Sequence, residues 1–225
     1  MLISYLVGVD MRTTMDIDTT MSGISMSEEG VRHFIEDVID IDVDDGVTFT
    51  LKSIETIMED ADYPGLRVNL EAHFEATRTP VKIDISTGHT IYPRAIEKSL
   101  DVMFDEPIDI LTYPVATIVA EKLHSVLSRG VANTRMRDFY DLAVLSRTSA
   151  QRVSDRSLTQ AVTATFEHRG SGPFLENPQE IVAEVENSNV LHDLWKRFQD
   201  HNSWARGITF SETIEGINFW LNRLA

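Results

Sequence analysis

The chain of 225 residues contains no cysteine, few basic residues and no long apolar run. The absence of cysteine excludes disulfide bonds, thiolate metal ligands and a cysteine nucleophile, and it is typical of a reducing compartment. No apolar run approaches the ~20 residues that a membrane-spanning helix needs, and the first segment, MLISYLVGVD, lacks a basic leader. We therefore expect a cytoplasmic protein that does not associate with a membrane.

Basic residues are outnumbered, with 20 Lys and Arg against 36 Asp and Glu, and the formal net charge is −16. This balance argues against the broad positive surface of a nonspecific nucleic-acid-binding protein. One segment departs from it and contains Arg129, Arg135, Arg137, Arg147, Arg152 and Arg156. Its arginines indicate either a solvated helix surface or a region that binds phosphate.

The first half of the chain combines one helix with several strands. Ser27 is a good N-cap for a helix with apolar residues at Val31, Phe34, Ile35 and Val38. The strand-like runs VTFTLKSI, LRVNLEAHFE and VKIDIS follow, with breaks predicted at Pro64-Gly65 and at Thr79-Pro80. Their alternating apolar residues predict a sheet with one buried face.

From Pro114 onward the apolar residues recur at helical spacing. The segment PVATIVAEKLHSVLSRG begins with proline and ends with glycine, as helices often do, and RMRDFYDLAVLSR reads as a second helix. The remainder reads as further helices. We therefore predict an α+β chain with a sheet-and-helix lobe over residues 1–113 and a helical lobe over residues 114–225.

Three aspartates are candidates for a metal site. In RTTMDIDTT, an extended backbone places Asp16 and Asp18 on one face, and in VKIDIS it places Asp84 opposite the apolar residues. If the two strands are neighbours, three carboxylates converge, and such a cluster needs a cation. Oxygen ligands alone suit a hard ion such as Mg²⁺. The alternative is that these are unrelated surface acids.

Two charged residues interrupt the apolar faces of the helical lobe. Lys122 lies between Ile118 and Val126 in the apolar stripe of its helix, and Asp138 lies on the same side as Leu142 in the next helix. The acid could neutralise the lysine as a structural ion pair, or both could belong to a functional site. Asp141 falls nearer the polar edge and is the weaker candidate.

The sequence lacks the motifs that are typical of several other catalytic or nucleotide-binding sites. There is no G-x-S-x-G nucleophile turn, no Walker-type loop and no dinucleotide fingerprint, and the seven histidines include no H-x-x-x-H pair. The acids, Lys122 and the arginine-rich segment are therefore the candidate functional residues.

Four segments, RTTMDIDTT, VKIDIS, VAEKLHSVLSRG and RMRDFYDLAVL, resemble in their order the nucleotidyltransferase toxins of the AbiEii/AbiGii family. The resemblance spans roughly Met1 to Arg147, and an ordered set of motifs is more specific than any single one. It implies a nucleotidyltransferase-like mixed sheet with flanking helices, followed by a helical C-terminal lobe. It also implies a catalytic set of Asp16, Asp18, Asp84, Lys122 and Asp138. Metal binding would fall to Asp16, Asp18 and Asp84, and nucleotide binding to Lys122, Arg12, Thr14 and Arg137.

The activity that the resemblance implies is Mg²⁺-dependent transfer of a nucleotide from an NTP to an acceptor. Such a protein would be the toxin of a bacterial toxin–antitoxin or phage abortive-infection system, with an antitoxin encoded nearby. The family suggests the 3′ end of tRNA as one acceptor and GTP as one donor.

One element of the family pattern is missing. Members usually carry a Gly-Gly or Gly-Ser element just before the stretch that aligns with MLISYLVG, where glycines let backbone amides approach a triphosphate. We therefore expect either an N-terminally shortened version of a longer protein or a catalytically impaired variant with a binding or regulatory role. A two-metal phosphohydrolase or nuclease is a third alternative.

Overall fold

The structure is a computed structural model that describes residues 3, 6, 8, 17–21, 27–57, 65–86, 93–100 and 106–224. The described residues form two compact units. One contains a four-stranded sheet and one helix, and we call it the sheet unit. The other contains a two-stranded hairpin and six helices within the described residues, and we call it the helical unit.

The sheet unit contains one helix and four strands within the described residues. These elements are β1 (Ile17–Thr20), α1 (Glu28–Ile39), β2 (Val47–Ile57), β3 (Gly65–Phe74) and β4 (Thr77–Ser86). The strand order is β1-β4-β3-β2, with β1 parallel to β4 and the other two pairs antiparallel. The sheet is therefore mixed, as predicted.

Alternation along β3 and β4 buries one face of this sheet. Leu66, Val68, Leu70 and Ile85 form a core with Val31 and Ile35 of α1. The helix begins where the sequence predicts, because the side chain of Ser27 accepts a hydrogen bond from the backbone N–H of Gly30. The predicted apolar stripe of α1 is wider than the buried one, since Phe34 and Val38 are 36% and 44% exposed.

The break predicted at Thr79-Pro80 is wrong. The chain turns at Glu75, which has a φ of 51°, and β4 then runs without interruption from Thr77 through Pro80 to Ser86. The described part of β1 pairs with β4 only from Ile83 onward. Among the described residues, Pro80 therefore has a strand neighbour, β3, on one side only. A strand tolerates a proline, which has no N–H to donate, on a side that is not paired.

The helical unit contains a hairpin that the sequence analysis did not predict, formed by β5 (Ile96–Leu100) and β6 (Ile108–Thr112). Each strand has only five residues, too few for alternation to give a clear signal. The helices follow as α2 (Val115–Arg129), α3 (Met136–Thr148), α4 (Asp155–His168), α5 (Pro178–Glu186), α6 (Asn189–His201) and α7 (Phe210–Leu221).

Helix α2 has the predicted boundaries, with Pro114 as its N-cap residue and Gly130 as its C-cap residue. Helix α3 packs closely against α7. A Cβ atom added at Gly216 of α7 would lie 2.5 Å from Cα of Ala143 in α3, and Trp220 Nε1 donates a 3.0 Å hydrogen bond to the carbonyl of Leu142. The C-terminal helix therefore fixes the position of α3.

Strands β5 and β6 belong to the same compact unit as the six helices that follow them. The division into residues 1–113 and 114–225 was inferred from the start of helical periodicity, and it stays a prediction about domains. Among the helices in the described part of the chain, none combines the length and apolarity that a membrane span requires.

Candidate functional site

Two of the three candidate metal ligands lie side by side in the sheet unit. Asp18 of β1 is the register partner of Asp84 of β4, and partners in a parallel ladder project from the same face. Asp18 is exposed and Asp84 is half-buried. The condition set in the sequence analysis, that these two strands are neighbours, is therefore met. Asp16, Arg12 and Thr14 lie outside the described residues.

Asp84 has a partner that the sequence analysis did not single out. Arg67 of β3 stands opposite it in the ladder, and Arg67 Nε and Nη2 donate 2.7 Å hydrogen bonds to the two carboxylate oxygens. Such a bidentate pair fixes both side chains. Alternation placed Arg67 on the polar face of β3, but its partner follows from the pairing register, which alternation does not specify.

The donor set suits a hard cation. Asp18 and Asp84 offer only oxygen atoms, and each carboxylate oxygen that accepts from Arg67 has a second lone pair. Among the described residues, no group of three acidic or histidine side chains is arranged to hold a metal ion. The predicted third member, Asp16, is outside that set.

A buried ion cluster joins α2 and α3 in the helical unit. Lys122 Nζ lies 2.7 Å from Asp138 Oδ1 and 2.8 Å from Asp141 Oδ2. Arg135 Nε lies 2.9 Å from the other oxygen of Asp138. The side chain of Lys122 is 14% exposed, whereas those of Asp138 and Asp141 are 4% and 0% exposed. Lys122 and the two carboxylates are therefore largely removed from water, whereas the side chain of Arg135 is 56% exposed.

The pKa shifts of Lys122 and Asp138 favour the charged form of both residues. Burial opposes the charge on Lys122, but the neighbouring carboxylates of Asp141 and Asp138 outweigh burial and raise the pKa of the lysine. Burial likewise disfavours ionised Asp138, yet the charges of Lys122 and Arg135 lower the pKa of its carboxyl. Each partner stabilises the charged form of the other.

The contact between Lys122 and Asp138 confirms the prediction that this acid neutralises the lysine. The prediction that Asp141 lies near the polar edge of its helix is wrong. Asp141 is fully buried and contacts Lys122 as closely as Asp138 does. Every residue from Asp138 to Leu145 is buried, so α3 has no polar face along these two turns. Periodicity alone does not reveal a helix that is covered on all sides.

Asn133 positions this cluster, although the sequence analysis did not single it out. It is fully buried between α2 and α3, its Nδ2 donates a 3.0 Å hydrogen bond to the carbonyl of Ser125, and its Oδ1 accepts one from the N–H of Arg135. It thus ties the start of α3 to α2. The one available signal was an asparagine in the short link between two predicted helices.

Arg137, a predicted nucleotide-binding residue, does not share the ion pairs of its neighbours. Its guanidinium carbon lies 5.9 Å from the ring centre of Trp204. Trp204 also makes an edge contact with Tyr140 at 4.6 Å between ring centres. An arginine stacked on an aromatic ring can still donate hydrogen bonds at the edge of its plane.

Comparison with known proteins gives the class and then the family. The family model described as "Nucleotidyl transferase AbiEii toxin, Type IV TA system" matches residues 1–207. The class is thus that of nucleotidyl transferases. The chain belongs to the AbiEii toxin family of type IV toxin–antitoxin systems, which confirms the resemblance found in the motifs.

Two solved structures from Helicobacter pylori are also similar to this chain. One is a "putative nucleotidyltransferase" at 16% identity and a TM-score of 0.44, with 100% of this chain and 85% of that chain covered. The other, JHP933, has 16% identity and a TM-score of 0.45, with 100% of this chain and 82% of that chain covered. No curated protein matches the sequence at a significant level.

Proposed function

We propose that this protein transfers a nucleotide from an NTP to an acceptor in a metal-dependent reaction. The observation that carries the proposal is the buried cluster of Lys122, Asp138 and Asp141, which lies within the segment that matches the family model. A charged cluster that is almost fully desolvated is a common feature of functional sites. GTP is one candidate donor, and the 3′ end of tRNA is one candidate acceptor.

The proposed metal ligands are Asp16, Asp18 and Asp84, and the proposed ion is Mg²⁺. When bound, the metal would activate the attacking oxygen and stabilise the leaving group. The chain itself contributes orientation, because Arg67 holds the Asp84 carboxylate through two hydrogen bonds. Arg12 and Thr14 are proposed nucleotide contacts.

Lys122 is the proposed phosphate-binding residue. Its ammonium group is a compact charge that Asp138 and Asp141 hold in one position, and its pKa is raised, so it stays protonated at neutral pH. A fixed positive charge stabilises negative charge on a transferring phosphoryl group without reorganisation. Asp138 and Asp141 position Lys122, and Arg137 is a further nucleotide contact.

The biological role follows from the family. We propose that the protein acts as a toxin in the cytoplasm, that an antitoxin encoded nearby counteracts it, and that the pair serves in abortive infection. Membership of a type IV toxin–antitoxin family supports the toxin role.

One observation favours a second candidate, a nucleotidyltransferase fold that binds ligands without catalysis. Both oxygens of Asp84 already accept hydrogen bonds from Arg67, and a carboxylate held in this way is a weaker metal ligand than a free one. In that case the protein would bind an NTP or RNA without extending the acceptor.

Incorporation of radiolabelled NTP into total RNA with Mg²⁺ tests these alternatives. We expect Asp18→Asn and Lys122→Gln to reduce incorporation at least about a hundredfold. The matched controls Asp193→Asn and Lys196→Gln, at exposed positions of α6, should leave it unchanged. Mass analysis of the RNA separates an extended acceptor from the fragments or phosphate that a nuclease or phosphohydrolase would release.

Two results would contradict the enzymatic proposal. One is the absence of incorporation by the wild-type chain, with and without any in-frame upstream residues. The other is incorporation that survives both Asp18→Asn and Lys122→Gln. NTP binding without incorporation would instead support the non-catalytic candidate.

A further inference from the structure

One face of the four-stranded sheet carries apolar side chains from end to end, but only part of this face is buried. On β3, Leu66 and Leu70 are each 6% exposed, whereas Phe74, on the same face, is 50% exposed. On β2, Ile54 is 9% exposed and Phe49 is 39% exposed. Burial of this face therefore ends near Leu70, and we call the part beyond it the open end of the sheet.

Helix α1, which packs on this face within the described residues, is too short to cover all of it. The helix has 12 residues and is about 18 Å long, whereas the 10 residues of β3 span about 33 Å. Its buried residues, Val31 and Ile35, pack in the core that ends near Leu70. Residues 71–74 of β3 lie beyond that core and span about 13 Å. This length is slightly more than the diameter of an α-helix with its side chains, about 10–12 Å.

Two aromatic rings form the centre of the open end. Phe49 and Phe74 are diagonal neighbours on adjacent strands, because Phe74 is the register partner of Val47. Aromatic side chains in such positions are within reach of each other. The segment that joins α1 to β2 also ends there, since a Cβ atom added at Gly46 would lie 3.6 Å from the Phe74 ring. The two rings and the end of this segment therefore belong to one surface.

The segment of residues 40–46 adds exposed aliphatic side chains. Ile41 and Val43 are 64% and 67% exposed, and Val38, in the last turn of α1, is 44% exposed. We call these residues and the two rings the open apolar surface, which consists of Val38, Ile41, Val43, Phe49 and Phe74. Large exposed apolar side chains that cluster on a folded protein are typical of interaction sites. This surface is therefore a candidate for binding another molecule.

Acidic residues flank the open apolar surface. Six of them lie between positions 36 and 45, and all six are exposed: Glu36, Asp37, Asp40, Asp42, Asp44 and Asp45. The sequence contains no Lys, Arg or His from residue 34 to residue 51. None of the six carboxylates forms a salt bridge with a residue that the structure describes. Their negative charge is therefore available to a positively charged partner.

This charge selects among the possible occupants of the surface. RNA and anionic lipid surfaces carry the same sign of charge and are repelled. A second copy of the chain that met the first through the same surface would bring two sets of six carboxylates together. A protein segment with an apolar side and flanking Lys or Arg residues matches both the apolar surface and its charge. An amphipathic helix presents such a side, and its diameter fits the open end.

We propose that the open apolar surface binds a basic amphipathic helix of a second protein. The apolar side of that helix lies against Phe49 and Phe74, and its Lys and Arg residues lie towards the carboxylates of residues 36–45. The proposal is independent of the nucleotidyl transfer proposed above, because none of these residues belongs to the proposed catalytic or nucleotide-binding set. Either proposal can therefore fail without the other.

A labelled peptide of about 18 residues, with leucines on one side of its helix and lysines on the other, serves as the probe. Fluorescence anisotropy measures its affinity for the full chain. A shuffled peptide of the same composition has the same charge but no apolar side, and it should bind at least about tenfold more weakly. This comparison separates docking of an apolar side from attraction by net charge.

The variant Phe49→Thr/Phe74→Thr tests the two rings. Threonine is well tolerated in strands and both positions are exposed, so the fold should be preserved, which the urea unfolding midpoint checks. This variant should bind the amphipathic peptide roughly tenfold more weakly than the wild type. The matched control Ile108→Thr/Leu111→Thr changes two residues of β6 that are 54% and 71% exposed, and its affinity should stay within about twofold of the wild type.

The variant Asp42→Asn/Asp44→Asn tests the charge without changing the shape of the segment. Asparagine can accept the hydrogen bond that Asp42 Oδ1 receives from the N–H of Asp44, and it tolerates the φ of 58° at position 44. This variant should bind the peptide about threefold more weakly at low salt, and the difference should shrink at high salt. The control Glu180→Gln/Glu184→Gln removes the same charge from exposed positions of α5 and should weaken binding less.

Several outcomes would overturn the proposal. Failure of the wild type to bind the amphipathic peptide, or equal binding of the shuffled one, would show that the surface does not dock an apolar helix. Wild-type affinity in Phe49→Thr/Phe74→Thr, or equal weakening in the β6 control, would place binding elsewhere. Equal effects of the two acid-to-amide variants would show that net charge alone attracts the peptide. A wild-type dimer that dissociates in Phe49→Thr/Phe74→Thr, detected by sedimentation, would assign the surface to a second copy of the chain.

Discussion

Replacement of Gly216 by alanine should destabilise the helical unit strongly for so small a change. Gly216 lies in α7 at its crossing with α3, where an added Cβ would be 2.5 Å from Cα and 2.9 Å from N of Ala143. Ordinary van der Waals contacts of a Cβ atom begin at 3.4 Å. Both contacts involve backbone atoms, so no side-chain rotation relieves them, and α7 must move away from α3 by about 1 Å.

The expected magnitude combines two opposing effects. Overpacking costs about 1–3 kcal/mol and occasionally more, and a backbone-to-backbone clash belongs at the upper end of this range. Alanine in a helix interior is favoured over glycine by about 1 kcal/mol, which offsets part of that cost. We therefore expect a net loss of about 2 kcal/mol, which lowers the melting temperature by roughly 4–8 °C.

Tryptophan fluorescence during urea unfolding measures this loss in the relevant unit, because Trp195, Trp204 and Trp220 all belong to the helical unit. The control is Gly207→Ala, where an added Cβ meets no atom within 4 Å, and its stability should change by no more than about 0.5 kcal/mol. A Gly216→Ala variant as stable as the wild type would refute the close-packing argument. The segment that matches the family model ends at residue 207, so a loss of nucleotidyl transfer in this variant would extend the functional unit to α7.

Four further changes test the ion cluster and the supporting contacts. Asp141→Asn removes one of two carboxylates from Lys122 and should cost about 3–5 kcal/mol in urea unfolding, whereas an exposed acid changed in the same way should have little effect. Asn133→Ala breaks two buried hydrogen bonds and should cost about 1–3 kcal/mol in the same assay. Burial, with help from nearby arginines, lowers the pKa of His124 to about 4, so the unfolded chain binds a proton at a higher pH than the folded one does. The free energy of unfolding of the wild type should therefore fall by up to about 2 kcal/mol as the pH falls from 6.5 to 4. The His124→Gln variant should lose less stability over this range. Hydrogen bonds from Thr209, the N-cap residue of α7, lower the pKa of Glu212 to about 2. Its contribution to stability, about 1 kcal/mol, should therefore persist above pH 4.5 and disappear as the pH falls towards 2. The Glu212→Gln variant should lack this loss of stability in acid.

Each of these predictions has an opposing outcome. Unchanged stability of Asp141→Asn would mean that Asp138 alone neutralises Lys122. Wild-type stability of Asn133→Ala would show that the link between α2 and α3 holds its shape without these hydrogen bonds. Equal pH dependence in the wild type and the His124→Gln variant, or in the wild type and the Glu212→Gln variant, would contradict the corresponding pKa shift.

Local signals in the sequence predicted three helix boundaries correctly. Ser27 caps α1, Pro114 and Gly130 bound α2, and these positions follow from backbone preferences that act within a few residues. The strand break predicted at Pro80 is wrong, because a proline interrupts a strand only where an adjacent strand would need its backbone N–H. The β5–β6 hairpin was missed because five-residue strands carry little periodic signal.

The candidate site was predicted in part, for a related reason. A lysine in one apolar stripe and an aspartate in another indicated a pair, and Lys122 does contact Asp138. Asp141 was underestimated because it lies on a helix that is buried on all sides along these turns. Arg67 was missed because its partner, Asp84, is determined by strand register.

The sequence by itself determined the α+β class, because strands and helices differ in the spacing of their apolar residues. It also determined the family, because each motif is a short pattern of residue types that can be recognised without the structure. Only the tertiary structure decided which charges meet, where Gly216 allows two helices to approach, and which end of the sheet α1 leaves uncovered. Periodicity reports the face on which a side chain lies. The identity of its partner depends on strand register and helix packing, which bring together residues far apart in the chain.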